Sequence, residues 1–222
     1  KSPNAAPRAM VLNDSEELYD PVIFRRGDPT QPGDPVPRRF LAILSGTARP
    51  AFRDGAGRLD LARAITSPRN PLTARVLANR VWMHHIGQPL VETPDDFGLR
   101  TSPPTHPGLL DYLASELLRN GWRLKPLHRL IMSSATWNRR SRIPAESRFA
   151  KQHRLAPTNL QLWRAHRRRL DLESMRDTLL AVSGKLDLTM FGRSVSITDP
   201  ANRRRTVYAT VERQDIPGVV RN

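Results

Sequence analysis

Five side chains in the stretch 70–107 are of the types that do chemistry: His84, His85, Asp95, Asp96 and His106. Arg80 and Asn79, just upstream, could orient a substrate. The two adjacent histidines read as helical, so at about 100° per residue their side chains diverge. One metal could then take only one of them without unwinding the helix. A metal site would more naturally join one of them with Asp95 or Asp96 and with His106, His84 with Asp96 and His106 being the candidate set, a two-histidine, one-carboxylate arrangement suited to iron, manganese or zinc. No spaced motif of the H-E-x-x-H kind supports it. The competing reading has these side chains capping helices and pairing with arginines. Asp95 and Asp96 could instead work as a general acid and base if burial raised one of them. Thr93-Pro94-Asp95-Asp96 is equally a turn and capping string. The serines at 133, 134, 194 and 196 lack a Gly-x-Ser-x-Gly setting, and no glycine-rich phosphate loop is present.

The elements that must position these groups can be read from periodicity. Asn70 is a good N-cap, Pro71 suits the first helical position and Gly87 suits the C-cap. Between them Leu72, Val76, Leu77, Val81, Trp82, Met83 and Ile86 wrap most of the helix, which predicts a central element. On its wheel Thr73, Arg80 and His84 share one side, while Arg75 and Asn79 share another beside Trp82. Pro89 to Pro104 is a long loop of the kind that carries function on a rigid scaffold. Thr105 is expected to cap a second helix starting near Pro107, with Leu109, Leu110, Leu113, Leu117 and Leu118 as its apolar stripe. Further helices are expected over Arg58–Thr66, Lys125–Trp137, Leu160–Ala165 and after Asp171, the last turning Leu172, Met175, Leu179 and Val182 inward. The interval Asn138–Pro157 reads as a basic, polar connection. Val195, Ile197, Val207, Ala209 and Val211 alternate with polar residues, as in an antiparallel hairpin. The four tryptophans sit in helical patterns or at their edges and are expected in the core. The expected fold is therefore mainly α, with about five to six helices, long proline-rich loops and a small C-terminal β-hairpin. Residues 1–56 form a loop-rich leading segment with a short strand near Pro21–Phe24, residues 57–190 the helical core, and residues 191–222 the hairpin. Arg26-Gly27-Asp28 in the leading segment reads as a turn before Pro29.

Composition narrows the function classes. The chain of 222 residues carries a net charge of +15, and arginine supplies 32 of its 36 basic residues. Such skew is what a GC-rich coding sequence gives, and most of the charge reads as surface solvation. Arg167-Arg168-Arg169 and Arg203-Arg204-Arg205 are the dense runs; the first, bidentate toward phosphate, sulfate or uronate, is a candidate anion site. Neither run interleaves aromatics and no nucleic-acid module is recognisable, which weighs against nucleic acid as a partner. The chain has no cysteine, so disulfides, thiol catalysis, iron–sulfur ligation and covalent haem attachment are excluded within it. No run approaches the roughly 18 apolar residues of a spanning helix. No leader is visible and the chain begins at Lys1, so it reads as a portion of something longer.

Asn70-Pro-Leu-Thr-Ala-Arg-Val76, Asn79-Arg-Val-Trp-Met-His-His-Ile-Gly87, Thr93-Pro-Asp-Asp-Phe-Gly98 and Pro104-Thr-His-Pro107 closely resemble the planctomycete-type PSD-one domain, domain of unknown function 1553. Gly121-Trp122, Leu127-His-Arg-Leu-Ile131, Ser134-Ala-Thr136, Arg168-Arg-Leu170, Met175-Arg-Asp177 and Ser183-Gly184 extend the resemblance, and Arg26-Gly-Asp-Pro29 with Gly33 is similar to its opening segment. The likeness runs from about Phe24 to Arg213. It implies an uncharacterised accessory or interaction domain of a large exported bacterial protein, periplasmic or at the cell surface, whose neighbours often include a cytochrome c-like haem module. It supplies no reaction and no catalytic residue. Met83 departs from the family's common Gln, and the chain stops before the region that normally continues the domain. Two alternatives stand beside this reading: an enzyme or metal-dependent site acting on an anionic polymer such as polysaccharide, and nucleic-acid binding through arginines.

Overall fold

Asn70 does what its type and place predict: its side chain accepts from the Leu72 amide at 3.0 Å and Pro71 opens the helix. The computed structural model describes residues 11–144 and 149–210, with positions 214 and 218, and not the side chains of Ala150 and His153. In chain order these residues form a strand β1 (Val22–Phe24), a strand β2 (Pro32–Pro35), a single-turn helix α1 (Ala42–Ser45) and six longer helices. The latter are α2 (Arg58–Thr66), α3 (Pro71–Ile86), α4 (Pro107–Arg119), α5 (Leu124–Met132), α6 (Ala150–Leu155) and α7 (Leu172–Val182). The fold is mainly α with one short antiparallel hairpin.

That hairpin is β1–β2, joined through Arg25–Gly27 in a 3-10 turn, and lies in the leading segment rather than at the C-terminal end. Asp28 closes it by accepting from the Thr30 amide and hydroxyl, and those bonds hold its carboxyl below the ordinary value. The expected C-terminal hairpin does not form among the described residues. Val195 instead meets Ala209 in an isolated parallel bridge, and Thr206–Tyr208 is a 3-10 turn. Alternation gave the right period there but not the partner or direction. Val211, also assigned to that hairpin, lies outside the described residues.

The chain divides into two compact units, Lys1–His166 and Arg167–Asn222. The core of the first lies where α3, α4 and α5 pack. Ala74, Ala78, Trp82 and Ile86 form one stripe of α3 at i, i+4 spacing and are buried, and α4 adds Leu110, Leu113, Ala114 and Leu117. Leu127 and Ile131 come from α5, Leu90 and Val91 from the loop after α3, and Leu162 from a later turn. Two alanines on α3 let neighbouring helices approach closely, and Trp82 fills the space further along. Trp122 and Trp137 pack against this core from its edge. Among the side chains of α3 beyond its first residue, Arg80 and His84 are the exposed ones. The helix is central, as its wheel predicts.

Two boundary expectations change. Thr105 does not cap α4; its amide and hydroxyl donate to the Leu90 carbonyl, and His106 occupies the cap position without a side-chain cap bond. Leu160–Ala165 is a series of turns, while the helix in that region is α6, within the interval read as a polar connection. Asn159, fully buried and left-handed, organises the turns through bonds to Arg164 and His166.

In the second unit Asp171 caps α7 as expected, accepting from the Ser174 amide at 2.6 Å. Of the four apolar side chains expected to turn inward, Met175, Leu179 and Val182 are exposed and Leu172 is half-buried. Polar contacts hold the unit instead. Asp177 accepts from the amide and hydroxyl of Thr206 at 2.8 and 2.6 Å. Arg176 donates to the carbonyls of Asn202 and Arg204.

Candidate functional site

The long loop after α3 is locked onto the helix by one residue. Asn79 is 0% exposed; its side-chain oxygen accepts from the amides of Leu90 and Val91 at 2.7 and 3.0 Å, and its nitrogen donates to the Val91 carbonyl at 3.1 Å. A primary amide can satisfy a turning backbone segment in this way because it offers donors and acceptors together. Asn79 was expected to orient a substrate. Sealed in the core and spent on backbone, it positions the loop.

The other expected residues separate. Arg80 Nη2 donates to Asp95 at 2.5 Å, an exposed pair in which the Asp95 side chain is 87% accessible. Asp96 turns back on its own loop, accepting from the Gly98 amide at 2.7 Å, while its carbonyl accepts from the Thr93 hydroxyl. His106 contacts the hydroxyl of its neighbour Thr105 at 3.0 Å. His84 is exposed on α3. Among the described residues no three His, Asp or Glu side chains gather as a metal-holding group, so His84, Asp96 and His106 are not brought together.

His85 takes a different direction, as the wheel requires. Its Nε2 lies 2.7 Å from Nδ1 of His128 on α5, and its ring stands edge-on to both His128 and Trp137. One facing nitrogen must donate and the other accept, so the pair holds a single proton between them. This half-buried joint ties α3 to α5, while ten residues earlier on α3 the Arg75–Asp111 pair ties α3 to α4 at 2.6 Å. The arginine donates the bond and holds the Asp111 carboxyl below its ordinary value. His128 was missed because its only local signal is a histidine on a half-polar helix.

A model of the family described as Protein of unknown function (DUF1553), PSD1, matches residues 57–222. The chain belongs to this family. No curated protein and no solved structure matches it. In this DUF1553 chain the family match covers the Asn79 clamp, the His85–His128 joint and the whole second unit, and begins after the Arg26-Gly27-Asp28-Pro29 string.

Arg167, Arg168 and Arg169 lie exposed at the start of the second unit. The charge of Arg168 helps to keep the Asp171 carboxyl low, behind the larger effect of the bonds from Ser174. The more distinctive surface of this unit is apolar. Leu179 is 65% exposed, Val182 85% and Phe191 76%, with Leu170, Leu188, Met190 and Val207 also exposed. Among its described residues the buried side chains are Asn202 and Thr206. A groove of about 550 Å³ is lined by Leu172, Met175, Leu179 and Leu180 of α7 and by Ile197, with Arg176, Ser183, Lys185 and Arg203 as its polar lining. No helix among the described residues is long and apolar enough to cross a membrane.

Proposed function

We propose that this DUF1553 chain is an accessory interaction domain of an exported multidomain bacterial protein, docking a neighbouring domain of that protein through its second unit. One observation carries the reading: α7 turns Met175, Leu179 and Val182 outward beside an apolar groove, while the unit is held by polar bonds. An exposed apolar face with a polar rim is the usual mark of an interaction site. The cations Lys185 and Arg203 that line the groove call for acidic groups on the occupant. A haem-containing redox module is the neighbour that the family resemblance suggests.

Hydrogen exchange tests this. Amides of Leu172–Val182 are compared in the 222-residue chain and in the full-length polypeptide. The docked state predicts marked added protection across α7 in the full-length protein, removed by Leu179→Asp. Equal exchange rates in the two would overturn the docking.

A further inference from the structure

The second unit carries a loop, 188–193, none of whose residues lines the α7 groove. Its apolar members Leu188, Met190 and Phe191 are 68%, 55% and 76% exposed. Phe191 is also strained: its φ is +65°, in the left-handed region that bulky side chains avoid. A ring that is both strained and uncovered gives the unit no stability through its own burial, and such positions collect where a surface has work to do.

Arg204 holds the loop in this shape. Its Nη1 donates to the Arg193 carbonyl at 3.0 Å, and its Nη2 donates to the carbonyl of Thr189 at 3.2 Å and to that of Phe191. The guanidinium lies over the Tyr208 ring, 4.1 Å from its centre. The Tyr208 hydroxyl accepts from the Phe191 amide at 2.9 Å and reaches the Met190 sulfur at 3.6 Å. Asp187 accepts from the Thr189 amide at 2.8 Å. Three carbonyls and two amides of a short loop are thus bonded within the chain while its apolar side chains stay uncovered. A protein partner commonly takes hydrogen bonds from such a segment as well as apolar contact. Lipid asks the opposite, that backbone entering an apolar zone be satisfied from its own chain.

Charge gives the second argument. Lys185 and Arg193, on either side of the apolar residues in sequence, are exposed, and their side chains make no hydrogen bond or ion pair among the described residues. Asp187, the one acid within 185–195, is bonded to Thr189 and feels the opposite charge of Arg204. Residues 167–222 contain eleven Lys and Arg against seven Asp and Glu, a net charge of +4. We propose that loop 188–193 seats this unit on an anionic lipid surface, with Leu188, Met190 and Phe191 entering between the headgroups and Lys185 and Arg193 meeting the phosphates. Apolar and aromatic side chains at headgroup depth beside Lys and Arg are what one-leaflet attachment uses.

The chain has no cysteine, so one introduced cysteine carries a label without background. Leu188→Cys, bearing the environment-sensitive fluorophore NBD, is compared in the 222-residue chain with Leu99→Cys, a fully exposed position of the first unit. The probes are vesicles of phosphatidylcholine alone and of equal parts phosphatidylcholine and phosphatidylglycerol, with and without brominated acyl chains. Saturable binding to the mixed vesicles, about tenfold or more weaker on the neutral ones, is expected. On the mixed vesicles the label at 188 should shift to the blue and be quenched by the brominated chains, while the label at 99 should do neither. Phe191→Asp in the unlabelled chain should weaken co-flotation by at least about tenfold, and Phe191→Leu only slightly. Because the whole chain is basic, adsorption by charge alone does not count. Absence of binding, binding that leaves the label at 188 in water, or equal quenching at 99 and 188 would each overturn the proposal. A blue shift at 188 in the full-length polypeptide without lipid, with none on vesicles, would assign the loop to a protein partner and overturn it too. Undiminished flotation of a folded Phe191→Asp would do the same, and the depth of the label at 188 decides the matter if that variant does not fold.

Discussion

Replacing Asn79 is expected to be the most damaging single polar substitution in the first unit. Asn79→Leu fills much the same space but leaves the amides of Leu90 and Val91 and the Val91 carbonyl without their partner. Leu90 and Val91 are themselves buried, so water cannot easily replace the lost amide. A buried polar group stranded in this way costs about 1–3 kcal/mol. With three groups affected and some relaxation of the loop, the loss is roughly 3–5 kcal/mol, a third or more of a typical domain's stability. Asn79→Asp keeps both acceptor bonds but sets a carboxylate oxygen against the Val91 carbonyl in a dry site, so it should be no milder than Asn79→Ala. Urea unfolding followed by far-UV circular dichroism and tryptophan fluorescence reads this directly. Arg80→Ala, one residue along on the exposed face, is the control. An Asn79→Leu loss of less than about 1 kcal/mol, near the cost of one ordinary hydrogen bond, would refute the clamp.

Three further outcomes follow from the same geometry. Arg80→Ala and Asp95→Ala should each leave the urea midpoint nearly unchanged, because an exposed ion pair contributes little; a large shift in either would show that the pair anchors the loop. Burial first, and the Arg164 charge second, lower the pKa of His166 from its ordinary 6.5. Between the folded value and 6.5 the unfolded chain binds more proton than the folded one, so His166 leaves stability intact above 6.5 and erodes it as pH falls through that window. His166→Gln should therefore flatten the pH dependence of the urea midpoint below 6.5, and an unchanged slope would count against it. Asp177→Ala removes both bonds to Thr206 and should speed amide exchange across Thr206–Tyr208. Because all four tryptophans lie in the first unit, the fluorescence unfolding transition should stay in place; joint movement of both signals would refute separate local stabilisation.

Much of the helical framework was legible because its causes are local. Asn70, Pro71 and Gly87 bound α3, Asp171 begins α7, and apolar residues that wrap most of the way round α3 mark it as central. Signals weakened wherever the partner lies far along the chain. Thr105 has the composition of a cap, yet the Leu90 carbonyl, fifteen residues earlier, takes its hydroxyl. Val195 and Ala209 have strand periodicity, which carries no record of parallel or antiparallel pairing.

The candidate site divides in the same way. That His84 and His85 diverge follows from helical geometry alone. That His85 meets His128, forty-three positions away, follows only from how α3 packs on α5. Arg80 and Asp95 are both of functional type, but folding pairs them with each other, and Asn79, expected to orient a substrate, is buried in the interior. Leu188, Met190 and Phe191 gave no pattern in sequence because Arg204 and Tyr208, further along the chain, rather than periodicity, shape the loop that carries them. Sequence by itself determined the bounds of α3 and the start of α7, the central place of α3, the family and the exclusion of cysteine chemistry, since these depend on residue type and near neighbours. Tertiary structure decided which polar groups meet and which apolar faces stay uncovered, because those depend on the packing of segments far apart in the chain.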